Sequence, residues 1–537
     1  MVITPQTNIK LLKVPFEMDN LNQLTFASAT TQYNYFNGLS DKLEYDECTY
    51  QRKDGYMAIP ENADTLQPYN YCMYQNEQYG NNWFYAYITN ITYESNKVSY
   101  VYIKTDVFQT WQFNIVYKRS FIEREHVNDD TIGLHTVPEN LETGEYIINA
   151  KEKMNLFSNF YICFSVTELP NGLGDDDRNK YSSGKYYGGV YSGCEYIVAE
   201  NVNGADDILA YYNKQGKISA VVAVFLVPSN FITVTEWVTV ASWSWVIKYG
   251  RIAQSTSSFG LSIILNQTKP ITLNGYTPRN KKLLCYPFQY LNVDNNYGMV
   301  TTYHLEDFVH NANNTIAFNI DSTICPSMSI KVVPAGYKNS GLDNDIEGFM
   351  LGKLPICSWD NDLYKNWLRQ NSANIGLSVI GSVGQVIAGA TMLSGGVTSL
   401  AGAGQIASGI HGIASTVGKI IEQDIIPNQA EGNVNGSEVN FAKGLYNPLC
   451  YFMCIKPEYS AIIDNFFDMY GYKVNVLKLP NITGRTNWNF VKTIGCNITG
   501  DIPQKDLQEL KSMFDNGVTL WHNPSTFLDY SQSNAIV

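Results

Sequence analysis

Charge is scarce in this sequence. Asp, Glu, Lys and Arg make up 16% of its 537 residues, well below the roughly one quarter usual for globular proteins. What charge there is leans acidic, with 50 acidic against 37 basic residues and a formal net charge of −13. Gripping a nucleic acid takes clustered Lys and Arg against phosphate, and that footprint is missing. DNA as a passenger is not excluded, because an acidic wall repels phosphate and lets a duplex slide past. Paired cysteines are missing too. Cys48, Cys72, Cys163, Cys194, Cys285, Cys325, Cys357, Cys450, Cys454 and Cys496 are scattered with no CxxC spacing. That argues against a zinc site or a disulfide framework and for assembly in a reducing cytoplasm. Met1 to Phe16 has no apolar core flanked by a cleavage site, so no secretory signal is expected.

Catalytic signatures are equally thin. There is no P-loop, no GxSxG elbow and no Cys/His nucleophile pattern. Gly402-Ala403-Gly404-Gln405-Ile406-Ala407 fits G-x-G-x-x-G/A, but Gly and Ala are so common there that chance explains it. His304-Leu305-Glu306-Asp307-Phe308-Val309-His310 offers metal-ligand chemistry without the HExxH spacing that sets two His on one helical face, and reads as a strand-to-loop passage. Asp175-Asp176-Asp177 and Asp343-Asn344-Asp345-Ile346-Glu347 fall short of an EF-hand loop. No catalytic, cofactor-binding or metal-binding residue is therefore expected, and the protein is not expected to be an enzyme.

What the chain has in quantity is tyrosine: 38, against 24 Phe and 9 Trp. Tyr, Val, Ile and Thr suit a pleated, half-buried surface, and Tyr also suits subunit interfaces. The expected class is mainly β with α+β parts. Residues 1–150 read as short strands, with aromatic runs at Trp83–Ile88 and Tyr100–Ile103 around a polar turn, Glu94-Ser95-Asn96-Lys97. Residues 151–270 read as an inserted α+β domain, with a short helix at Asp206–Tyr212 and a doubly buried strand at Ala220–Val227. Strand signals return over 271–370, as at Lys282–Tyr286 and Met299–Tyr303, before an amphipathic helix at Asn361–Arg369. Residues 431–537 resume compact structure, with helices at Ser460–Tyr470 and Gln504–Phe514 and strands at Tyr472–Leu479 and Asn487–Thr493. No internal repeat is present.

The most unusual interval lies between, at 371–430. From Arg369 to Lys419 no Asp, Glu, Lys or Arg occurs, roughly fifty residues against the ~20 that span a bilayer as a helix. A turn at Gly395-Gly396 divides it into two halves. Apolar residues recur through the first half as Ile375, Leu377, Val379, Ile380, Val383, Val386, Ile387, Met392 and Leu393, and through the second as Val397, Leu400, Ile406, Ile410, Ile413 and Val417. Gly384 with Ala388, and Ala403 with Ala407, give small residues at spacing four, which lets helices pack closely. Three readings fit: a buried core hairpin, a permanent membrane anchor, and a membrane-active segment sequestered until needed. The high glycine content and moderate hydrophobicity favour the third, because such a helix forms only where lipid or neighbouring subunits enforce it. His411 sits inside this interval, and its protonation would oppose insertion.

Gln32–Asn37, Tyr79–Ala86, Asp106–Ile115 and Ser120–Val127, then Gly500–Ile502, Asp506–Glu509 and Phe514–His522, with a weaker stretch at Leu283–Pro287, form a series of distinctive strings. They resemble passages of the tail-knob, or proximal tail tube, proteins of small short-tailed phages of the Salasmaviridae and Rountreeviridae kind. The strings are collinear and cover the first 130 or so and the last 90 or so residues. The resemblance implies β-rich tube domains in a homohexamer around a channel for viral double-stranded DNA. It also implies a hydrophobic loop, at the place of 371–430, that plugs the distal end and then penetrates the host cell membrane during genome ejection. The implied partners are further copies of the chain, other tail proteins on the collar and distal sides, DNA as a non-specific passenger and the host membrane. The implied location is the virion tail, assembled in the host cytoplasm. An alternative is a receptor-binding tail protein recognising cell-wall glycan through the middle domain.

Overall fold

The computed structural model describes residues 6–157, 159–170, 185–242, 245–253, 259–308, 314–326, 328–338, 347–354, 356–358, 445–484, 486 and 488–535. The 371–430 interval, with every residue named in it from Ile375 to Val417, lies outside the described residues. So do the expected helix at Asn361–Arg369, His310 and Asp175–Asp177. Strand dominates what is described and helices are few, as a mainly β class requires. The chain forms two compact units: Met1–Glu145 with Gly275–Phe288 and Ile455–Val537, and Tyr146–Asn274 with Gln289–Cys454. Of the interval 271–370, Gly275–Phe288 thus belongs to the first unit and the strands from Gln289 onward to the second.

The first unit begins as a barrel. Its strands run in the order Thr7–Leu12, Lys42–Gln51, Tyr56–Ile59, Val98–Thr105, Trp83–Ser95 and Tyr71–Asn76, the last pairing back to the first, all antiparallel. The two-residue side-chain period sends Ile9, Leu11, Met57, Ile59, Cys72, Ala86 and Val101 into one core. From the same strands Tyr71, Met73, Tyr85 and Tyr87 point into a second core with Phe36 and Trp521. Closure leaves no unpaired edge for another chain to add to. The two aromatic runs read from the sequence are one hairpin, with Ser95 opposite Val98 across Asn96-Lys97.

A five-stranded sheet completes this unit. Its order is Asn22–Leu24, Val518–Trp521, Phe490–Ile494, Ser120–Glu125, Tyr472–Lys478, and only the pair joining the two chain ends is parallel. Helices Val107–Trp111 and Gln504–Asn516 bury Val107, Phe108, Leu510, Met513 and Phe514 against Val491, Val518 and Leu520. The longer helix ends where Gly517, at φ 97°, takes a left-handed conformation and its N–H reaches the Met513 carbonyl.

Asp464, on helix Pro457–Tyr470, ties in the Gly275–Phe288 stretch. Its carboxylate is fully buried and accepts from Tyr276 Oη at 2.8 Å, Arg279 N at 2.8 Å, Asn280 N at 3.0 Å and Asn280 Nδ2 at 2.8 Å. Asp468, one turn on, takes Arg279 Nη2 at 2.7 Å. Here one sequence expectation is corrected. Lys281–Leu284 is a turn of 3-10 helix, not a strand. Pro287 cannot donate to a ladder, and the buried Lys282 turns its ammonium inward to the carbonyls of His135 and Val137.

In the second unit a six-stranded antiparallel sheet runs Val234–Ser242, Trp245–Ile252, Glu195–Ala199, Phe160–Val166, Val221–Pro228, Ile356–Ser358. Val221–Pro228 is buried along nearly its whole length, as its unbroken apolar run implied. The helix expected at Asp206–Tyr212 spans Val202–Lys214, capped by the Asn201 side chain on Gly204 N. The unit also holds two four-stranded sheets, Phe259–Ile264, Ala317–Ser322, Ile330–Pro334 and Phe349–Met350, and Tyr146–Lys153, Leu449–Ile455, Gln289–Asp294 and Val300–Tyr303, and a two-stranded one, Lys185–Tyr187 with Val190–Ser192.

Replacing Asp464 with Ala strips four donors of their shared acceptor, two of them backbone. The expected loss is about 3–5 kcal/mol, read as a lower urea midpoint at unchanged slope. A midpoint equal to the parent's would show that Asp464 does not hold this joint.

Candidate functional site

The passages that carried the family resemblance come together in the first unit. Gln32–Asn37 lies on helix Ala29–Asn37, N-capped by Ser28. There Gln32 Nε2 donates to the Gln109 carbonyl at 2.7 Å, and Gln109 Nε2 donates to the Leu24 carbonyl at 2.7 Å and to Gln23 Oε1 at 3.2 Å. Gln112 Nε2 adds a 3.0 Å bond to Gln109 Oε1, and its own Oε1 accepts from Phe26 N at 3.1 Å. A relay of amides therefore threads three elements, with Gln109 and Gln112 both giving and taking where burial penalises an unpaired group. Beside it Phe36 stacks on Tyr71 at 5.6 Å and meets Tyr85 at 4.8 Å.

The two ends of the chain meet through specific side chains. Trp111 Nε1 donates to Asp506 Oδ2 at 2.9 Å, and Trp521 Nε1 to Asn22 Oδ1 at 3.0 Å. Tyr117 sets its ring edge-on to Phe514 at 5.8 Å. A Cβ on Gly500 would lie 2.3 Å from the Asn114 carbonyl oxygen, so only glycine fits that approach. In Ser120–Val127, Arg124 pairs with Glu139 and lies 4.8 Å from the Phe466 ring centroid, and buried Glu125 pairs with Lys478. This is a fastening chemistry and offers no nucleophile with a base.

Asp106 is the most perturbed acid in this constellation. It caps helix Val107–Trp111 through Gln109 N at 3.0 Å and accepts from Tyr71 Oη at 3.0 Å. Full burial pushes its carboxyl up to about 6, against the pull of those donors, which favour the charged form.

The other sequence candidates do not assemble. His304 Nδ1 and Asp307 Oδ2 lie 3.6 Å apart with burial holding the imidazole below its ordinary range. Among the described residues no group of three His, Cys, Asp or Glu could hold a metal. Nor is any described helix long and apolar enough to cross a membrane. Sequence reasoning missed Asp464 and Asn280. The one available signal was an acid set among Ile462, Ile463, Phe466 and Phe467.

One sheet of the second unit has two unlike faces. In the sheet of Tyr146–Lys153, Leu449–Ile455, Gln289–Asp294 and Val300–Tyr303, one face buries Leu291, Val293, Cys450, Phe452 and Tyr303. The other carries Tyr290 opposite Met453 and Asn292 opposite both Tyr451 and Thr302, half-buried but for the exposed Thr302. Asn292 and Thr302 bond side chain to side chain at 2.7 Å, and Lys151 Nζ lies 5.2 Å from the Tyr451 ring. Among the described residues both outer strands pair on one side only.

Comparison with known proteins places these features. Residues 251–535 match the family described as Bacillus phage phi29, tail knob protein gp9, C-terminal domain, and residues 5–118 match the caudoviral major tail protein N-terminus. The tail knob protein gp9 of Bacillus phage PZA is 28% identical over 588 residues, covering 96% of each chain. Its counterpart in Bacillus phage phi29 is 25% identical over 603 residues, covering 99% of this chain and 98% of that one. The bacteriophage C1 tail knob protein, gp12, superposes with a TM-score of 0.63 at 16% identity, covering 99% of this chain and all of that one. At that identity the likeness is one of fold.

Asp106 gives a pH signature. Its folded value, about 6, lies above the ordinary 3.8, so the fold binds this proton more tightly than the unfolded chain. Its contribution is full below the ordinary value and is lost as pH rises towards and through 6. Between pH 4.5 and 7.5 the stability of Asp106→Asn relative to the parent should improve by on the order of 2 kcal/mol, measured by chemical denaturation. A pH-independent difference would remove Asp106 as the cause.

Proposed function

The chain belongs to the tail knob protein family of phi29-like phages, a structural component of the virion tail and not an enzyme, and on that premise we propose that it forms a DNA-conducting tube whose hydrophobic segment plugs and later penetrates a membrane. The observation that carries this reading is the charge-free interval between Arg369 and Lys419. Its apolar residues from Ile375 to Val417 would supply the membrane-facing surface, Gly384, Ala388, Ala403 and Ala407 the close helix contacts, and Gly395-Gly396 the turn. Hidden among neighbouring copies, the segment stays out of water. Once released, its apolar area drives it into lipid, where every backbone group must be satisfied as helix.

The tube part of the proposal draws on the open sheet of the second unit. Among the described residues its outer strands pair on one side only, an edge that favours pairing with another chain, and copies of one chain in a closed ring leave no edge over. Six is the number the family resemblance implies. A duplex passing through needs a wall that does not hold phosphate, and a net charge of −13 is consistent with that. The expected partners are other copies of the chain, neighbouring tail proteins, passing DNA and the host membrane.

A second reading, recognition of cell-wall glycan, is favoured by one feature. The hairpin Lys185–Tyr187/Val190–Ser192 turns at Gly188 and Gly189, both at positive φ, and holds up the exposed pair Tyr186 and Tyr191 with rings 5.5 Å apart. Retained glycan binding that is lost on Tyr191→Ala would favour it.

The test of the main proposal is dye release from liposomes between pH 4 and 8, comparing the full chain with a variant lacking 372–421. Leakage should vanish with the deletion while assembly persists. Equal leakage from both, or none from either under any condition, would leave the segment without a membrane role.

A further inference from the structure

His126, directly after strand Ser120–Glu125, closes one end of the five-stranded sheet. It is 1% exposed and both ring nitrogens are committed. Nδ1 accepts the Phe490 amide proton at 2.7 Å. Nε2 lies 3.0 Å from the Phe467 carbonyl oxygen and 3.1 Å from that of Asp468, and donates to them. These partners hold the ring as the neutral Nε2–H tautomer. The backbone is tied as well, His126 N to the Phe490 carbonyl at 3.1 Å and the His126 carbonyl to Asn481 Nδ2 at 3.0 Å. Trp488 covers the ring at 5.9 Å. His126 thus fastens the end of helix Pro457–Tyr470 and the start of strand Phe490–Ile494 through its ring, and Asn481, at the far end of the loop, through its backbone carbonyl.

A second proton on this ring has only Nδ1 to go to, and Nδ1 already takes the Phe490 amide proton. Two N–H groups would then face each other across 2.7 Å, and an attractive contact becomes a repulsive one. Among the described residues the charges nearby have partners of their own. On its own strand Glu125 holds Lys478 and Asn481 N, and Arg124 holds Glu139. From the helix Asp468 holds Arg279 and Asp464 holds the Tyr276–Asn280 stretch. On the central strand Lys492 pairs with Glu123. Asn481 and Trp488 bring no charge. From the other side of the same loop comes His522, whose Nε2 lies 3.0 Å from Asn489 Nδ2. Burial lowers its pKa, against the carbonyls of Ile482 and Thr483, which raise it.

We propose that His126 is an acid-released latch, whose protonation frees the stretch from Asn481 to Asn489 and this end of the sheet while the barrel stays closed. The barrel strands contain no histidine, and their cores are built from Ile9, Leu11, Met57, Cys72 and their neighbours.

Hydrogen exchange on the intact chain, corrected for the chemical rate, tests this between pH 7.5 and 5.0. Peptides over 481–490 should lose at least tenfold in protection at pH 5.0, while peptides over 7–12 and 71–76 hold theirs. His126→Asn keeps an acceptor near the Nδ1 position and cannot be protonated there, so it should abolish the response, whereas His522→Asn should keep it. Unchanged protection in the parent, or the same tenfold loss in His126→Asn, overturns the proposal. Should His126→Asn fail to fold, the ring nitrogen shifts of His126 in the parent decide. An imidazole still neutral where the loop has opened overturns it, and one charged at that pH supports it.

Discussion

A carboxylate buried without donors would shed its charge or unfold its surroundings, so the donors around Asp464 dictate where its helix can lie. They come from Tyr276, Arg279 and Asn280, in a stretch remote in sequence from both ends of the chain. Once Pro457–Tyr470 is docked there, its exit is fixed. Gly471 leaves the helix at φ 62°, and a Cβ on it would fall 2.5 Å from the Glu125 backbone. Only glycine lets the chain pass that close, and its carbonyl then accepts from Arg124 Nη1 at 2.6 Å. The next residue, Tyr472, pairs with Glu125 and opens the edge strand. One buried acid therefore propagates through a helix and a glycine into the register of a sheet.

The same dependence explains what could be read from residues alone. Helix Gln504–Asn516 and the hairpin of Trp83–Ser95 with Val98–Thr105 were legible because each satisfies its own pattern locally. Lys282–Tyr286 reads as strand in the sequence, where Lys281–Leu284 is a 3-10 turn, because its apolar pair, Leu283 and Leu284, says nothing of Lys282 turning inward to remote carbonyls. The pairing of Ser120–Glu125 with Tyr472–Lys478 links residues some 350 apart, and no periodicity encodes a partner at that distance. What did carry information was the collinear set of strings near the two chain ends. They belong to one unit, and Asn22–Leu24 lies parallel to Val518–Trp521. Even the weak match at Leu283–Pro287 falls inside the one interior stretch that joins them.

Many of the tyrosine rings fill the interior and use the hydroxyl to end a polar chain. Tyr212 Oη donates to the Glu168 carbonyl and Tyr303 Oη to that of Glu347, each at 2.6 Å. Tyr472 Oη reaches Asp130 Oδ1 at 2.6 Å and Asn280 Oδ1 at 3.0 Å. Burial drives the hydroxyl pKa of Tyr303 well above its ordinary value, so the group remains a neutral donor. Phenylalanine would fill the same volume and leave each of those acceptors bare. A chain poor in charge thus meets much of its internal hydrogen bonding with phenols and amides.

That economy of charge bears on the segment proposed to meet a membrane. The chain enters it after strand Ile356–Ser358 and leaves it before strand Leu449–Ile455, both in antiparallel sheets of the second unit. Each end therefore adjoins a strand already paired in a sheet. A segment rooted in this way can change its surroundings without unfolding its unit, provided it carries little structure of its own to lose. Its many glycines serve that condition, each lowering helix stability by about 1 kcal/mol relative to alanine. A Leu-rich segment of the same length would be helical and committed to lipid from the moment of synthesis. The composition of 371–430 is what a segment needs if it is to wait among neighbouring copies and insert only when they let go.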